Sequence, residues 1–224
     1  MRTTVYIDGY NLFYGCLKHS GYKWLDLHKL FSLLLNDQNP ALQLHKINFF
    51  TAEIKTKFAT RGTAAANAQD NYHRALTTLY PDHIEIIKGR YADSKAHLPV
   101  YQKPPNKRET TAVWKLEEKE TDVNIALTMY RNAVQGATDC VVLVTNDSDL
   151  APALKAIKAD CPGVQIGVIS PIRSQDNTER PPSGSLEKMA DWCRTVIRSN
   201  ELEVSLLPRQ IPTRRKPIKR PDYW

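Results

Sequence analysis

The sequence predicts an α/β domain built on a mostly parallel sheet. Apolar, β-branched runs alternate with helical segments along the 224 residues, and two of those runs end in carboxylates. Thr3–Ile7 leads into Asp8-Gly9-Tyr10-Asn11, and the run from Cys140 to Thr145 leads into Asn146-Asp147-Ser148-Asp149. Strands separated by helices form parallel sheets covered on both faces. Right-handed crossovers then bring every strand-to-helix loop to one edge, the edge at which open sheets of this kind bind ligands. Two acidic motifs far apart in the chain are therefore expected to share one site.

The elements follow in order. Thr3–Ile7 reads as the first strand, and Leu12–Lys18 and Leu27–Leu35 have helical spacing, the second with Asp26 as N-cap. His45–Ala52 reads as the second strand. In the Ala-rich stretch 63–80, Ala68, Tyr72, Ala75, Leu76 and Leu79 share one helical face, and Pro81 ends the helix. Ile84–Lys88 is a third strand closed by Gly89. Thr121–Val134 is a helix with Ile125, Ala126, Met129 and Ala133 along one side, stopped at Gly136. Cys140–Thr145, a helix over Leu150–Ala159, a fifth strand at Val164–Ile169 and a last helix over Leu186–Ile197 complete the alternation. Two stretches depart from it. The polar segment near 90–116 predicts a hairpin arm, with Tyr91–Lys95 pairing Thr111–Lys115. The Pro-rich stretch 171–185 predicts a long loop at the carboxyl edge. The expected division is a main domain over 1–200 and a basic extension over 201–224.

Composition narrows the class. With 42% hydrophobic residues the chain can bury a real core as one domain. No stretch approaches the ~20 apolar residues of a membrane span, and the chain enters a strand by residue 4 with no signal-like segment. No membrane partner and a cytoplasmic location are therefore expected. The four cysteines (16, 140, 161, 193) form no C-x-x-C pair, and the six histidines show no close ligand spacing. That argues against a structural zinc site and a disulfide framework. The net charge of +7 is concentrated at the end: from 208 to 224 six cations face Asp222 alone. Such a tail suits either a polyanion or a solvated end.

The acids carry the chemistry. Asp8 alone reads as a helix cap, and either Asp147 or Asp149 could cap the helix that follows, but one cap does not need both. Asp122 stands three, four and seven residues before Ile125, Ala126 and Met129, on the buried stripe at its helix start. Glu117, Glu118 and Glu120 read as solvated or helix-start charges. Brought together, Asp8, Asp122, Asp147 and Asp149 would repel one another. A divalent cation relieves that cost, and oxygen-only ligands favour Mg2+ or Mn2+ over zinc. Such ions serve phosphodiester hydrolysis by activating water and neutralising the leaving oxygen. A phosphatase with a carboxylate nucleophile fits poorly, since that chemistry usually pairs two acids in the first motif.

Three segments in order, Ile7-Asp8-Gly9-Tyr10-Asn11-Leu12, Glu118-Lys119-Glu120-Thr121-Asp122-Val123 and Val144-Thr145-Asn146-Asp147-Ser148-Asp149-Leu150, resemble the signatures of the NYN domain family, within the PIN-like nuclease superfamily. Gln69-x-x-Tyr72-His73-Arg74-Ala75-Leu76, Gly89-Arg90-Tyr91 and the ending through Trp224 are similar to its bacterial branch; the likeness of the ending implies that 201–224 is a packed extended segment, with Leu206, Leu207, Ile211, Ile218, Tyr223 and Trp224 docked on the domain and the Arg and Lys side chains outward. The resemblance covers nearly the whole chain. It implies a PIN-like three-layer α/β/α sandwich, here with a sheet of about five strands, and a metal-dependent ribonuclease. It implies Asp8 as the first-strand acid, Asn11 as the residue that orients it or the substrate, Asp122 as the helix acid, and Asp147 and Asp149 as the fourth-strand pair. Thr145-Asn146 stands where many relatives carry Ser-Gly or Ser-Asn; Thr keeps the hydroxyl. The family also holds members without demonstrated activity, so a non-catalytic RNA-binding or scaffold protein is the alternative.

The carboxyl edge also predicts a basic rim. Lys55, Lys57 and Arg61 follow the second strand, Arg90 the third and Arg173 the fifth; with Lys119 and Thr145 they form the expected substrate-binding set. Cations hold phosphates while metal ions act on one of them, so the expected partner is RNA, single-stranded or structured. Tyr10, Tyr14 and Tyr91 can stack on bases, although Tyr14 lies on an apolar helix face where core packing is the preferred reading. A homodimer that lengthens the basic groove is compatible with the sequence.

Overall fold

The computed structural model describes residues 1–174 and 181–224. The chain runs β1 (Arg2–Asp8), α1 (Gly9–Leu12) continued by a π-helical turn (Phe13–Leu17), α2 (Leu27–Gln38), β2 (Gln43–Ala52), α3 (Gly62–Leu79), β3 (Ile84–Pro99), β4 (Thr110–Lys119), α4 (Thr121–Val134) and β5 (Cys140–Val144). It continues with a 3-10 turn (Ser148–Leu150), α5 (Ala151–Asp160), β6 (Gln165–Ile169), α6 (Gly184–Glu187), β7 (Trp192–Arg194), α7 (Ser199–Val204), β8 (Gln210–Ile211) and β9 (Ile218–Lys219).

Seven strands form one sheet in the order β4-β3-β2-β1-β5-β6-β7, parallel throughout except for the antiparallel β3–β4 pair. Successive side chains of a strand point to opposite faces, and both faces are apolar here. Val5 and Ile7 of β1, with Val142 and Val144 of β5, pack under α2, α3 and the C-terminal segment. Tyr6, Val141 and Leu143 face α4 and α5 on the other side. The chain moves outward from β1 to β4 and then returns to β5 on the opposite side of β1. The reversal of strand order therefore falls between β1 and β5, with Asp8 and residues 145–149 at its carboxyl edge.

The sheet is larger than the five strands expected. β3 runs unbroken for 16 residues, past the expected stop at Gly89, because Arg90–Pro99 pairs with Thr110–Lys119. The expected helix over Leu186–Ile197 is only α6; the chain then straightens into β7, which pairs in parallel with β6. Pairing at the open sheet edge outweighs a helical pattern too short to bury a full stripe. Part of the loop expected over 171–185 lies outside the described residues.

Gly89 is required where β3 enters the arm. A Cβ there would lie 2.5 Å from Thr121 Oγ1 and 2.6 Å from the Lys119 carbonyl oxygen. That close approach seats the start of α4 against the sheet edge.

The C-terminal segment is built into the core. Leu207, Ile211 and Ile218 are buried, and the fully buried Trp24 donates from Nε1 to the Pro208 carbonyl at 2.8 Å. Trp224 packs on Trp24 and Tyr72, ring centroids 6.1 and 5.8 Å apart. No helix among the described residues is long and apolar enough to cross a membrane.

Candidate functional site

An acidic cleft of about 210 Å³ opens at the reversal point, lined by Asp8, Tyr10, Asn11, the stretch Glu118 to Val123, and Asp147. Four elements supply its acids: β1, β4, the start of α4 and the 3-10 turn after β5. Asp8 is the last residue of β1 and the N-cap of α1: one carboxylate oxygen accepts from the Asn11 backbone N–H at 3.0 Å. The other accepts from Asn11 Nδ2 at 2.5 Å and from Thr145 Oγ1 at 2.9 Å. The turn that follows needs a glycine, because a Cβ at Gly9 would lie 2.5 Å from the Phe50 carbonyl oxygen.

Thr145 is fully buried and works in two directions. Its hydroxyl donates to Asp8 and accepts from the Asp147 backbone N–H at 3.1 Å. One side chain thus couples the ends of β1 and β5. Asp147 then caps the 3-10 turn, accepting from the Asp149 N–H at 3.0 Å. Capping and site-facing roles coexist in Asp8 and Asp147, because a carboxylate at a strand end has lone pairs for both. Asn146 points elsewhere: it donates to the Pro181 carbonyl and accepts from the Ser183 N–H, pinning the segment before α6.

Asp122 stands in the first turn of α4. The sequence places it on the buried stripe; in the structure it is exposed on the cleft wall. Glu120, before it, adopts a left-handed backbone with φ of 77°, the reversal that carries β4 into α4. A non-glycine residue held there stores strain of the kind found at functional sites.

The sequence reading groups Glu118 with the solvated charges, yet it is half-buried in the cleft and accepts from Thr121 Oγ1 at 2.6 Å. The hairpin register explains the difference. Glu118 lies opposite Tyr91 and faces the cleft, whereas neighbouring Glu117 faces away and pairs Lys115 and Lys119. Only the alternation of a strand that the sequence shows poorly could have found it.

The electrostatics follow from this crowding. Burial pushes the Asp8 carboxyl above its ordinary value; hydrogen bonds from Asn11 and Thr145 oppose the shift and the charge on Asp147 adds to it. Asp122 is raised by burial and then by Asp8, Asp147 and Asp149. Glu118 is raised by burial and by Asp8 and Asp122. The Tyr91 phenol is raised by burial, Glu118, Tyr10, Tyr14 and Asp8. Tyr10 and Tyr14 stack at 4.4 Å between centroids beside the cleft, and both are nearly half exposed, so Tyr14 is not a core residue. The helix that carries it presents that flank to the site, not to the sheet.

Among the described residues no three His, Cys, Asp or Glu side chains converge tightly enough to enclose an ion. In kind, the donor set fits a hard divalent cation: it is oxygen-only, and several carboxylates raise one another's proton affinity across one cleft. Asp149 belongs to the periphery, sensed by Asp122 but outside the cleft lining.

Of the expected rim cations, only Lys119 lines the cleft. Lys55 and Lys57 both pair Asp93, Arg90 pairs Glu120 at 2.6 Å, and Arg61 stacks on Tyr223 with its guanidinium 4.2 Å from the ring centroid. Arg173 bridges to Ile197 beside β7. Lys55, Lys57, Arg90 and Lys119 are thus engaged in ion pairs at the exposed edge.

The NYN domain family profile matches residues 2–191, and the chain belongs to that family. Over its full length it is 40% identical, across 241 aligned positions and 75% of the other protein, to the 6-hydroxy-3-succinoylpyridine 3-monooxygenase HspA of Pseudomonas putida. Its fold is similar to the crystal structure of a Vibrio parahaemolyticus protein of unknown function, with a TM-score of 0.52 at 15% identity, over 92% of this chain and 96% of that one.

Proposed function

We propose that this chain is a Mg2+- or Mn2+-dependent endoribonuclease of PIN-like architecture. The observation that supports the reading is the cleft itself: Asp8, Glu118, Asp122 and Asp147, drawn from four elements, face one space at the reversal point of the sheet. Asp8, Asp122 and Asp147 would hold the ion, with Asp149 at the margin. When bound, a divalent cation supplies an activated water and neutralises the leaving oxygen of a phosphodiester. The chain's own residues do the positioning. Asn11 and Thr145 aim the Asp8 carboxylate, Thr145 ties it to the Asp147 turn, and Thr121 holds Glu118. Tyr10 offers an exposed ring to a base beside the cleft. The same reading takes 1–200 as the nuclease unit, 201–224 as an extension packed on it, RNA as partner and the cytoplasm as location.

Labelled RNAs incubated with the protein, with and without EDTA, test the proposal. Cleavage should need the metal and fall on the order of 10²–10³-fold in Asp147→Asn and Asp8→Asn, the scale of removing one charge-stabilising group. Undiminished cleavage in both variants defeats the reading.

The relative from Pseudomonas putida supports a second one, because 40% identity extends along the whole chain. It is oxygenation of a hydroxypyridine at C3: a C–O bond forms there as the bond to the succinoyl carbon breaks, and that group leaves as an aldehyde. One oxygen atom of O2 stays on the ring and the other becomes water, four electrons and four protons coming from two equivalents of a reductant such as NADH. Incubation with 6-hydroxy-3-succinoylpyridine, NADH and air, followed by chromatography, separates the two. Substrate turnover that survives EDTA, without RNA cleavage, favours the oxygenase.

A further inference from the structure

The β3–β4 arm carries features that the cleft does not use. Residues directly opposite in an antiparallel pair share a face, and every second residue along a strand returns to it. Tyr91 and Glu118 begin such a face at the cleft; Asp93 with Leu116, then Lys95 with Trp114, continue it outward. Trp114 is therefore on the same face as the cleft acid Glu118, four residues away, or roughly 13 Å along the strand.

Trp114 is held but not covered. Phe58, from the loop after β2, meets it edge-on at 5.7 Å between centroids. The Lys57 ammonium sits 4.6 Å from its ring centroid and also pairs Asp93, on the same face. The indole is still 64% exposed, so part of the ring stays open to solvent while its neighbours fix its orientation. Beyond it the arm changes character. From residue 95 to 108 the sequence holds Lys95, Lys103, Lys107 and Arg108 and no Asp or Glu. None of these four makes an ion pair with a described residue. Tyr101, within that stretch, is 87% exposed.

We infer that this face of the arm is a track for single-stranded RNA leading into the acidic cleft, with Trp114 as a stacking platform for a base. Resting on the nuclease reading, it names how that site would take its substrate. The span from Glu118 to Trp114 is one that a single strand crosses in a few nucleotides, and aromatic rings interleaved with unpaired cations bind such strands without reading sequence. The unpaired cations also answer a repulsion, since a polyanion approaching the carboxylates needs compensating charge nearby. Face-to-face self-association of two arms would oppose two sets of four unneutralised cations, which disfavours a second copy as occupant.

The test measures binding of a 5′-labelled dodecauridylate by fluorescence anisotropy in EDTA, so that no cleavage is needed. Trp114→Ala should weaken binding roughly tenfold or more, and Trp114→Phe should retain most of it. Lys95→Gln with Lys107→Gln should flatten the salt dependence, whereas Trp114→Ala should leave its slope unchanged. Heparin, a polyanion without bases, should bind wild type and Trp114→Ala alike. Equal RNA affinity of wild type and Trp114→Ala overturns the track, as does an equal loss of heparin binding. A dimer that becomes monomeric in Trp114→Ala by sedimentation, with RNA affinity unchanged, overturns it in favour of self-association. Parallel cleavage assays with Mn2+ keep the two readings apart. RNA bound through Trp114 but never cut sustains the track and sinks the nuclease; RNA cut equally well by wild type and Trp114→Ala does the reverse.

Discussion

At the scale of single residues, Thr145 is the most informative. Its hydroxyl links the ends of β1 and β5, and it stands at 0% exposure. Thr145→Val keeps the shape and removes both hydrogen bonds. The buried Asp8 oxygen loses a donor and the Asp147 N–H loses its acceptor, so stability should fall by about 1–3 kcal/mol in urea titration. Thr145→Ser should recover most of it. Asp8 and Asp147 were legible as acids at strand ends, since a carboxylate following a β-branched run stands out in any sequence. Glu118 was not, because its direction depends on which residue of β3 it faces.

At the scale of elements, the α3 segment and the chain's ending, which resemble the family outside the acids, hold the fold together. Gln69 of α3 donates to the Ala52 carbonyl at 2.9 Å and accepts from the Ile54 N–H at 3.0 Å, clamping the end of β2 to the helix. Tyr72, one turn on, donates to the Leu25 carbonyl at 2.8 Å and receives Trp224 from the far end of the chain. The last residue therefore closes an aromatic cluster with Trp24. Trp224→Ala should cost about 2 kcal/mol, the value of uncovering much of a large apolar side chain, and lower the thermal midpoint with little change in the cleft. Helix periodicity made α2, α3 and α4 readable to within a few residues. The hairpin arm was readable as well, but not its register nor its continuity with β3, and β7 was missed altogether, because these are specified by partners elsewhere in the chain.

At the scale of the whole molecule, the charge pattern sets a pH dependence with two opposing parts. Burial, aided by Lys88, lowers the His73 pKa to about 4. An unfolded chain takes up that proton near pH 6.5. The stability His73 contributes is thus present above about 6.5 and is lost as pH falls towards 4, by roughly 2 kcal/mol between pH 7 and 5. Asp8, Glu118 and Asp122 act in the opposite sense. Their raised values mean that the folded chain binds protons first, so acidification above the ordinary carboxylate range relieves repulsion in the cleft. Urea midpoints of wild type and His73→Phe at pH 7 and 5 isolate the first part. The variant should lose less stability on acidification, and identical losses would exclude His73 as the source.

The amino-acid pattern by itself determined the fold class and the meeting of three acidic motifs at one sheet edge. Both depend on local periodicity and on the handedness of crossovers, which any stretch of chain expresses alone. Only the tertiary structure decided that the expected arm is an unbroken continuation of β3 and in which register it pairs, that Glu118 joins the cleft, that Asp122 stands exposed on its wall, and that Lys55, Lys57, Arg90 and Lys119 are already engaged in ion pairs. Each is a question of register or of charge pairing between distant segments. A strand shifted by one residue turns every side chain to the other face, and nothing within the strand's own sequence states the register.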